Sequence, residues 1–135
     1  MENKSVQEIN KAFIINHFEE FVNRKNAAIA LVNLAPDFLD HDEMSGPAIG
    51  PEAAMHMMEG AYKIWPDLHV SVEDIIAEGD KVMVRNIWTG TMASGRKIEF
   101  HGFVLWKIKD GKIVERWATV SPPADEENSS LTWLK

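Results

Sequence analysis

The chain contains no cysteine, which excludes disulfide bonds, thiolate metal sites and cysteine nucleophiles. Its chemistry must therefore use oxygen and nitrogen groups. It also has no block of Lys and Arg residues, and its formal net charge is −7. Because affinity for nucleic acid comes largely from neutralising phosphates, this charge argues against a nucleic-acid partner.

Long hydrophobic segments are missing as well. The longest apolar run, between Ala27 and Leu34, is much shorter than the ~20 residues that a membrane span requires. The N-terminus is charged where a secretory signal would be apolar. No GxSxG, P-loop or GxGxxG motif is present. We therefore expect a cytoplasmic protein without a membrane partner.

The length and the hydrophobic content indicate one domain. With 135 residues, of which 45% are hydrophobic, the chain can bury a core of its own, and we assign a single domain to residues 1–135. The segment SPPADEENSS combines prolines with serines and acids. This composition predicts a surface extension from about residue 120 to residue 135.

Hydrophobic periodicity predicts three helices in the first half of the chain. An apolar stripe at helical spacing predicts a helix from Ser5 to about Asn23, with Ser5 and Glu8 as a capping box. A second helix is predicted over residues 26–34, and a third over residues 51–65. Residues 37–47 between them are predicted to form a polar loop.

The period then changes to that of strands. Turn residues at positions 79–80, 93–95 and 109–111 divide the chain after Leu68 into four strands, which predicts an antiparallel meander. Helices followed by such a meander indicate the α+β class. We expect the helices to pack on a curved antiparallel sheet that encloses an apolar pocket.

The last turn, KDG, determines which residues of the last two strands share a face. A two-residue loop would separate His101 from Glu115, whereas a three-residue loop would pair Leu105 with Glu115 and Phe103 with Trp117. We favour the three-residue loop because it gives Trp117 apolar neighbours. His101 and Glu115 are then predicted to point into the same cavity.

Glu115 is consequently a candidate for proton transfer. An acid among apolar side chains is expected to have a raised pKa. The alternative is that Glu115 is a solvated sheet residue without a role in chemistry. The HDE triplet, which consists of His41, Asp42 and Glu43, likewise forms either the rim of a site or a capped, solvated turn.

We predict no metal site. His17 and Glu20, and also His56 and Glu59, have the spacing of one helical face, but no second matching pair completes a site. Both helices also need those faces for packing. We expect no cofactor.

Both faces of the last two strands carry apolar residues. The helices can cover only one face, so the side with Val104, Trp106 and Val114 is predicted to need a partner surface. We therefore expect a homodimer formed through the outer face of the sheet.

Several segments together resemble a known family. These segments are APDFLDHDE, PDLHVSVEDIIAEGDKVMVR, the Gly90–Thr91 pair and KIKDGKIVERW. In this order they are similar to the SnoaL-like polyketide cyclases, over about residues 3–119. That family belongs to the nuclear-transport-factor-two-like superfamily of cone-shaped α+β barrels, whose fold ketosteroid isomerase and limonene-epoxide hydrolase resemble.

The resemblance implies a cofactor-free intramolecular aldol cyclisation, in which a pocket acid protonates a carbonyl oxygen. By position, Glu115 matches the family's acid and His101 its partner histidine. His41 and Asp42 match the loop at the pocket mouth, and Arg85 falls on a strand position that often points inward.

The rest of the predicted pocket is largely apolar. Its other residues are Phe103, Leu105, Trp117, Trp88 and Met58. The loop after Thr91 is shorter than in many family members, and the acid is Glu rather than Asp. We predict acid/base chemistry on a small, largely apolar carbonyl compound; the alternatives are a binding module of the same fold and a dimeric scaffold with a filled pocket.

Overall fold

The described part of the chain contains three α-helices and six strands. The computed structural model describes residues 4–41 and 48–121, and the structural statements below concern these residues. The helices are α1 (Val6–Phe18), α2 (Ile29–Asn33) and α3 (Pro51–Ile64). The strands are β1 (Leu34–Asp40), β2 (Ala48–Ile49), β3 (His69–Glu78), β4 (Lys81–Thr91), β5 (Lys97–Lys109) and β6 (Lys112–Val120).

The helix ends follow the capping signals in the sequence. The Ser5 hydroxyl accepts a hydrogen bond from the Glu8 backbone N–H at 3.1 Å and begins α1. The chain continues after α1 as one π-helical turn, Glu19–Asn23. Pro51 occupies the first turn of α3, as predicted. α2 is shorter than the predicted helix over residues 26–34.

The six strands form one open, mixed sheet in the order β2-β1-β6-β5-β4-β3. The predicted α+β class and the antiparallel meander of β3 to β6 are confirmed. The predicted loop over residues 37–47 is wrong in its first part, because β1 pairs in parallel with β6. Phe38 and Asp40 are buried on one side of β1, so this part of the segment belongs to the folded core and not to a solvated loop. Residues 42–47 and 122–135, which include Asp42 and most of the predicted extension, lie outside the described residues.

The turn between β5 and β6 differs from the prediction. Lys109 pairs with Lys112 around a two-residue turn, so the three-residue loop and its register are wrong. Asp110 and Gly111 both have positive φ, 52° and 74°, which is the geometry of a type I′ turn. This turn follows the natural twist of the two strands, and its second position favours glycine.

A β-bulge then changes the register of β6. Ile108 pairs with Ile113, but Lys107 pairs with Glu115, so Val114 is the extra residue of a bulge. The bulge moves the rest of β6 by one position. Leu105 consequently lies opposite Trp117, and Phe103 lies opposite Thr119.

The sheet has an inner face toward the helices and an outer face away from them. Buried residues on β4 and β5 define the inner face: Val82, Val84, Asn86, Gly102, Val104 and Trp106. The outer face carries the alternate residues: Met83, Arg85, Ile87, His101, Phe103, Leu105, Glu115 and Trp117. The residues predicted to line the pocket from β5 and β6 therefore share one face, but it is the outer one.

The predicted partner face is also corrected. Val104 and Trp106 are 2% and 4% exposed and pack in the core beneath the helices, so they are not available to a partner. The sequence could have indicated which face of the sheet is covered by the helices, because Lys81 and Arg85 of β4 lie on the outer face. Charged side chains are rarely turned toward a core.

The free edge of β3 is occupied by a side chain. The Asn23 amide donates to the Val70 carbonyl at 3.1 Å, and its oxygen accepts from the Val70 N–H at 2.8 Å. The π-helical turn thus brings a polar side chain to the position where a further strand would pair. Within the described residues, no helix is both long and apolar enough to cross a membrane.

Candidate active site

A cavity of about 40 Å³ lies between the inner face and the helices. Its apolar wall includes Phe18, Phe21, Leu34, Phe38, Met58 and Trp88. Four further lining residues carry polar groups: His17, Asp40, Trp106 and Arg116. The site thus combines an apolar interior with a few polar groups, as ligand pockets commonly do.

Asp40 and Arg116 form an ion pair on the cavity wall. Arg116 Nη1 donates to both carboxylate oxygens of Asp40, at 2.9 and 3.1 Å. The side chains are 7% and 15% exposed. Adjacent pairing of β1 and β6 places the two residues opposite each other. The cavity therefore contains a shielded carboxylate and a shielded guanidinium.

Trp106 adds a hydrogen-bond donor to the cavity wall. The residue is 4% exposed, and its Nε1–H makes no hydrogen bond within the described residues. The Arg116 guanidinium lies 5.6 Å from the centre of the Trp106 ring. An unsatisfied buried donor is costly unless an acceptor arrives, so this N–H is suited to a ligand oxygen.

His17 comes from the apolar stripe of α1. Its ring stacks on Phe21 at 5.0 Å and meets Trp106 edge-on at 5.5 Å. Burial, and then the positive charge of Arg116, lower the pKa of His17 to about 3. His17 is therefore a neutral imidazole at neutral pH.

A second pair of polar side chains, His41 and Glu115, lies behind the first, on the outer face. His41 Nε2 lies 2.9 Å from Glu115 Oε2, and the His41 ring stacks on Trp117 at 4.7 Å. Successive residues of a strand point to opposite faces, so Asp40 and His41 diverge, as do Glu115 and Arg116. The outer pair is more solvated, with side chains 29% and 30% exposed.

The comparisons with known proteins agree with this architecture. A family model described as SnoaL-like polyketide cyclase matches residues 12–121. The chain belongs to this family. The resemblance seen in the sequence is therefore confirmed. No curated protein matches the SnoaL-like chain.

Several solved structures share the SnoaL-like fold. A candidate polyketide cyclase from Bacillus cereus is 29% identical, with a TM-score of 0.71, over 80% of this chain and 71% of its own. AclR, a candidate hydroxylase from Streptomyces galilaeus, is 25% identical, with a TM-score of 0.74, over 84% of this chain and 90% of its own. A candidate SnoaL-like cyclase from a Jannaschia species has a TM-score of 0.79 over 98% and 95% of the two chains; its 19% identity supports the fold alone.

The two predicted catalytic residues of the SnoaL-like chain do not meet. Glu115 and His101 share the outer face, away from the cavity. His101 Nε2 lies 3.1 Å from its neighbour Glu99, whereas Glu115 pairs with His41. The prediction that both point into the cavity is wrong, because the helices cover the other face.

The remaining predicted residues divide between the two faces. Met58 and Trp88 line the cavity. Trp88 also donates to Asn86 Oδ1 at 3.1 Å and stacks on Phe100. Arg85 points outward, where its Nε lies 2.6 Å from Asp74 Oδ2. Four others belong to the outer face: His41, Phe103, Leu105 and Trp117.

Sequence reasoning missed the four polar cavity residues of the SnoaL-like chain. Asp40 and Arg116 directly adjoin His41 and Glu115, and strand alternation places neighbours on opposite faces. His17 was visible as a lone histidine within an apolar helical stripe. The missing information was which face the helices cover.

Proposed function

We propose that the protein is an enzyme for cofactor-free acid/base chemistry on a small, largely apolar carbonyl compound. The observation that carries this proposal is the shielded Asp40–Arg116 pair on an apolar cavity wall, beside a Trp106 N–H that has no partner in the described part of the chain. Membership of the SnoaL-like family supports carbonyl chemistry. The reaction is an intramolecular aldol cyclisation or a related isomerisation.

Asp40 acts as the general base in this proposal. Its carboxylate removes a proton from the carbon next to a carbonyl group, and the carbonyl oxygen takes the electron pair as an enolate forms. The Arg116 contact fixes the orientation of the carboxylate. A base that is already held in position avoids much of the entropic cost of the step.

Trp106 and Arg116 stabilise the enolate oxygen. The indole N–H has no other partner within the described residues, and the guanidinium lies close to the same ring. Fixed donors aimed at developing negative charge are most effective where water is excluded. The cavity meets that condition because its other walls are apolar.

The enolate then has two possible outcomes. In a cyclisation, its carbon attacks a second carbonyl of the same molecule, a carbon–carbon bond forms, and the proton on Asp40 passes to the new alkoxide. In an isomerisation, the same proton returns to a different carbon. Neither route changes the oxidation state of the compound or requires a co-reactant.

Substrate entry requires movement of side chains. A cavity of about 40 Å³ holds a few water molecules, so a larger compound must displace part of the lining. Met57 both lines the cavity and is half exposed, which indicates an opening beside α3. Methionine side chains adapt readily to a ligand.

The test follows α-hydrogen exchange of cyclohexanone and acetophenone in D₂O by ¹H NMR. We expect the wild-type protein to accelerate exchange and Asp40→Asn to slow the protein-dependent rate about 10²- to 10⁴-fold. Asp37→Asn makes the same chemical change at an exposed position of β1 and should retain the rate. Equal rates for wild type and Asp40→Asn would contradict the proposal.

A second variant covers the case in which Asp40→Asn fails to fold. Trp106→Phe keeps the ion pair and removes one donor, so the rate should fall about 10²- to 10³-fold. Melting temperatures measured alongside identify any unfolded variant.

The small cavity also favours a second candidate, a non-catalytic module that binds a small ligand. Quenching of tryptophan fluorescence by the same ketones, without any accelerated exchange, would support the binding module. This result would contradict the proposed enzymatic function.

A further inference from the structure

His17 is a buried histidine on the cavity wall that the proposed mechanism leaves unused. The residue is 1% exposed, and aromatic rings hold it from two sides. Histidine is rarely enclosed so fully without a hydrogen bond that fixes its ring. The partner of His17 therefore determines what its other nitrogen can do.

Asn33, at the end of α2, supplies that partner. Its Nδ2 lies 3.0 Å from His17 Nδ1, and Asn33 itself is 7% exposed. The side-chain amide nitrogen of asparagine is a hydrogen-bond donor and not an acceptor. It therefore donates to His17 Nδ1, which accepts. In a neutral ring the proton must then be on Nε2. This nitrogen makes no hydrogen bond within the described residues.

A neutral ring has only one N–H to offer. Burial and the Arg116 charge lower the pKa of His17 to about 3, so the ring stays neutral across the physiological range. The Asn33 contact thereby selects the tautomer with its donor at Nε2 rather than at Nδ1.

We infer that His17 is a catalytic residue whose Nε2–H donates to the carbonyl oxygen of the substrate, and that Asn33 is the positioning residue that keeps the proton on Nε2. The His17 and Trp106 rings meet at 5.5 Å and both line the cavity, so we assign their two N–H donors to one substrate oxygen. This inference rests on the proposed function.

The role differs from that of Asp40. His17 transfers no proton; its hydrogen bond strengthens as negative charge develops on the oxygen. Removal of one such donor commonly costs 10²- to 10³-fold in rate. A neutral donor stabilises this charge without neutralising the Asp40 carboxylate.

The first experiment measures the tautomer directly. Long-range ¹H–¹⁵N NMR spectra of the labelled protein distinguish a protonated Nε2 from a protonated Nδ1, and the spectrum of His17→Phe assigns the signals among the five histidines. We expect protonation at Nε2 in the wild type and a mixture of tautomers in Asn33→Leu. Protonation at Nδ1 in the wild type would overturn the inference, whether or not the protein has activity.

The second experiment applies the exchange assay with cyclohexanone. We expect His17→Phe to lower kcat about 10²- to 10³-fold. Asn33→Leu should lower kcat less, and the double variant should match His17→Phe because Asn33 acts through His17. Asn10→Leu is the control, since Asn10 is also buried but its amide contacts the Gly79 carbonyl instead.

The outcomes separate the two proposals. Exchange that survives in His17→Phe but is lost in Asp40→Asn would overturn the role of His17 alone. A wild-type protein without any accelerated exchange would overturn the proposed function, and the catalytic role of His17 with it.

Discussion

Two pairs of polar side chains lie back to back across the sheet, where the end of β1 meets β6. The inner pair, Asp40 and Arg116, has side chains that are 7% and 15% exposed. The outer pair, Glu115 and His41, has side chains that are 29% and 30% exposed. Both have close contacts of 2.9 Å, so distance does not distinguish them. The difference in solvation shows why a short contact alone is poor evidence of a functional site.

The largest expected difference between the pairs is in stability. Asp40→Ala leaves a guanidinium shielded without its carboxylate, which should lower the free energy of unfolding by about 3–5 kcal/mol. Glu115→Ala should cost at most about 1 kcal/mol, because water solvates the remaining histidine. Urea unfolding monitored by tryptophan fluorescence measures both. Equal losses would show that the two faces do not differ as described.

The next effect concerns pH and compares a buried histidine with an exposed one. The pKa of His17 is about 3 in the folded protein and 6.5 in the unfolded chain, so the unfolded state binds the proton first. The contribution of the neutral His17 ring to the free energy of unfolding is therefore present above pH 6.5 and is lost as the pH falls toward 3.

Between pH 7 and pH 4.5 this loss amounts to about 2–3 kcal/mol. His17→Phe should remove that part of the acid dependence, whereas substitution of the exposed His56 by Asn should leave it. Unfolding curves at the two pH values provide the measurement. An unchanged acid dependence in His17→Phe would contradict the buried, neutral state of the ring.

A smaller effect concerns self-association, which remains a prediction. Cross-strand pairing aligns four apolar side chains across the outer face: Ile76, Met83, Leu105 and Trp117. We predict a homodimer formed through this row, because exposed contiguous apolar surface favours a partner. Leu105→Glu should raise the dissociation constant at least about tenfold, since a charge in a buried interface is costly.

Sedimentation at micromolar concentrations tests this prediction. Ile64→Glu, at an exposed apolar position on α3, is the matched control and should leave the dimer intact. A wild-type protein that sediments as a monomer would refute the homodimer.

The smallest expected effect is that of Glu115→Gln on exchange of cyclohexanone. The residue lies on the outer face and contacts His41, so we expect a rate within about fivefold of the wild type. A loss comparable to that of Asp40→Asn would move the chemistry to the outer face. This result would restore the role that the family resemblance implied for Glu115.

Local signals in the sequence predicted most of the fold. The Ser5 cap, Pro51 and the three turns lie where the helices and hairpins begin. These features depend on a few neighbouring residues. The parallel pairing of β1 with β6 was missed because its partners are more than 70 residues apart.

The candidate site was harder to predict, because it depends on which face the helices cover. β5 is apolar on both sides, so its pattern does not choose between Val104 and Leu105. The two-residue turn shifted the register, and the bulge at Val114 shifted it again. After both shifts Leu105, Glu115 and Trp117 still share one face of the sheet, as predicted. This face is the outer one and not the one toward the cavity.

The amide of Asn23 has a consequence for solubility. β3 is the last strand of the open sheet, and an exposed edge of this kind can pair with the edge of another molecule and begin aggregation. Asn23 satisfies both backbone groups of Val70 with one side chain. It therefore blocks intermolecular strand pairing at that position, and its orientation depends on the π-helical turn that contains it.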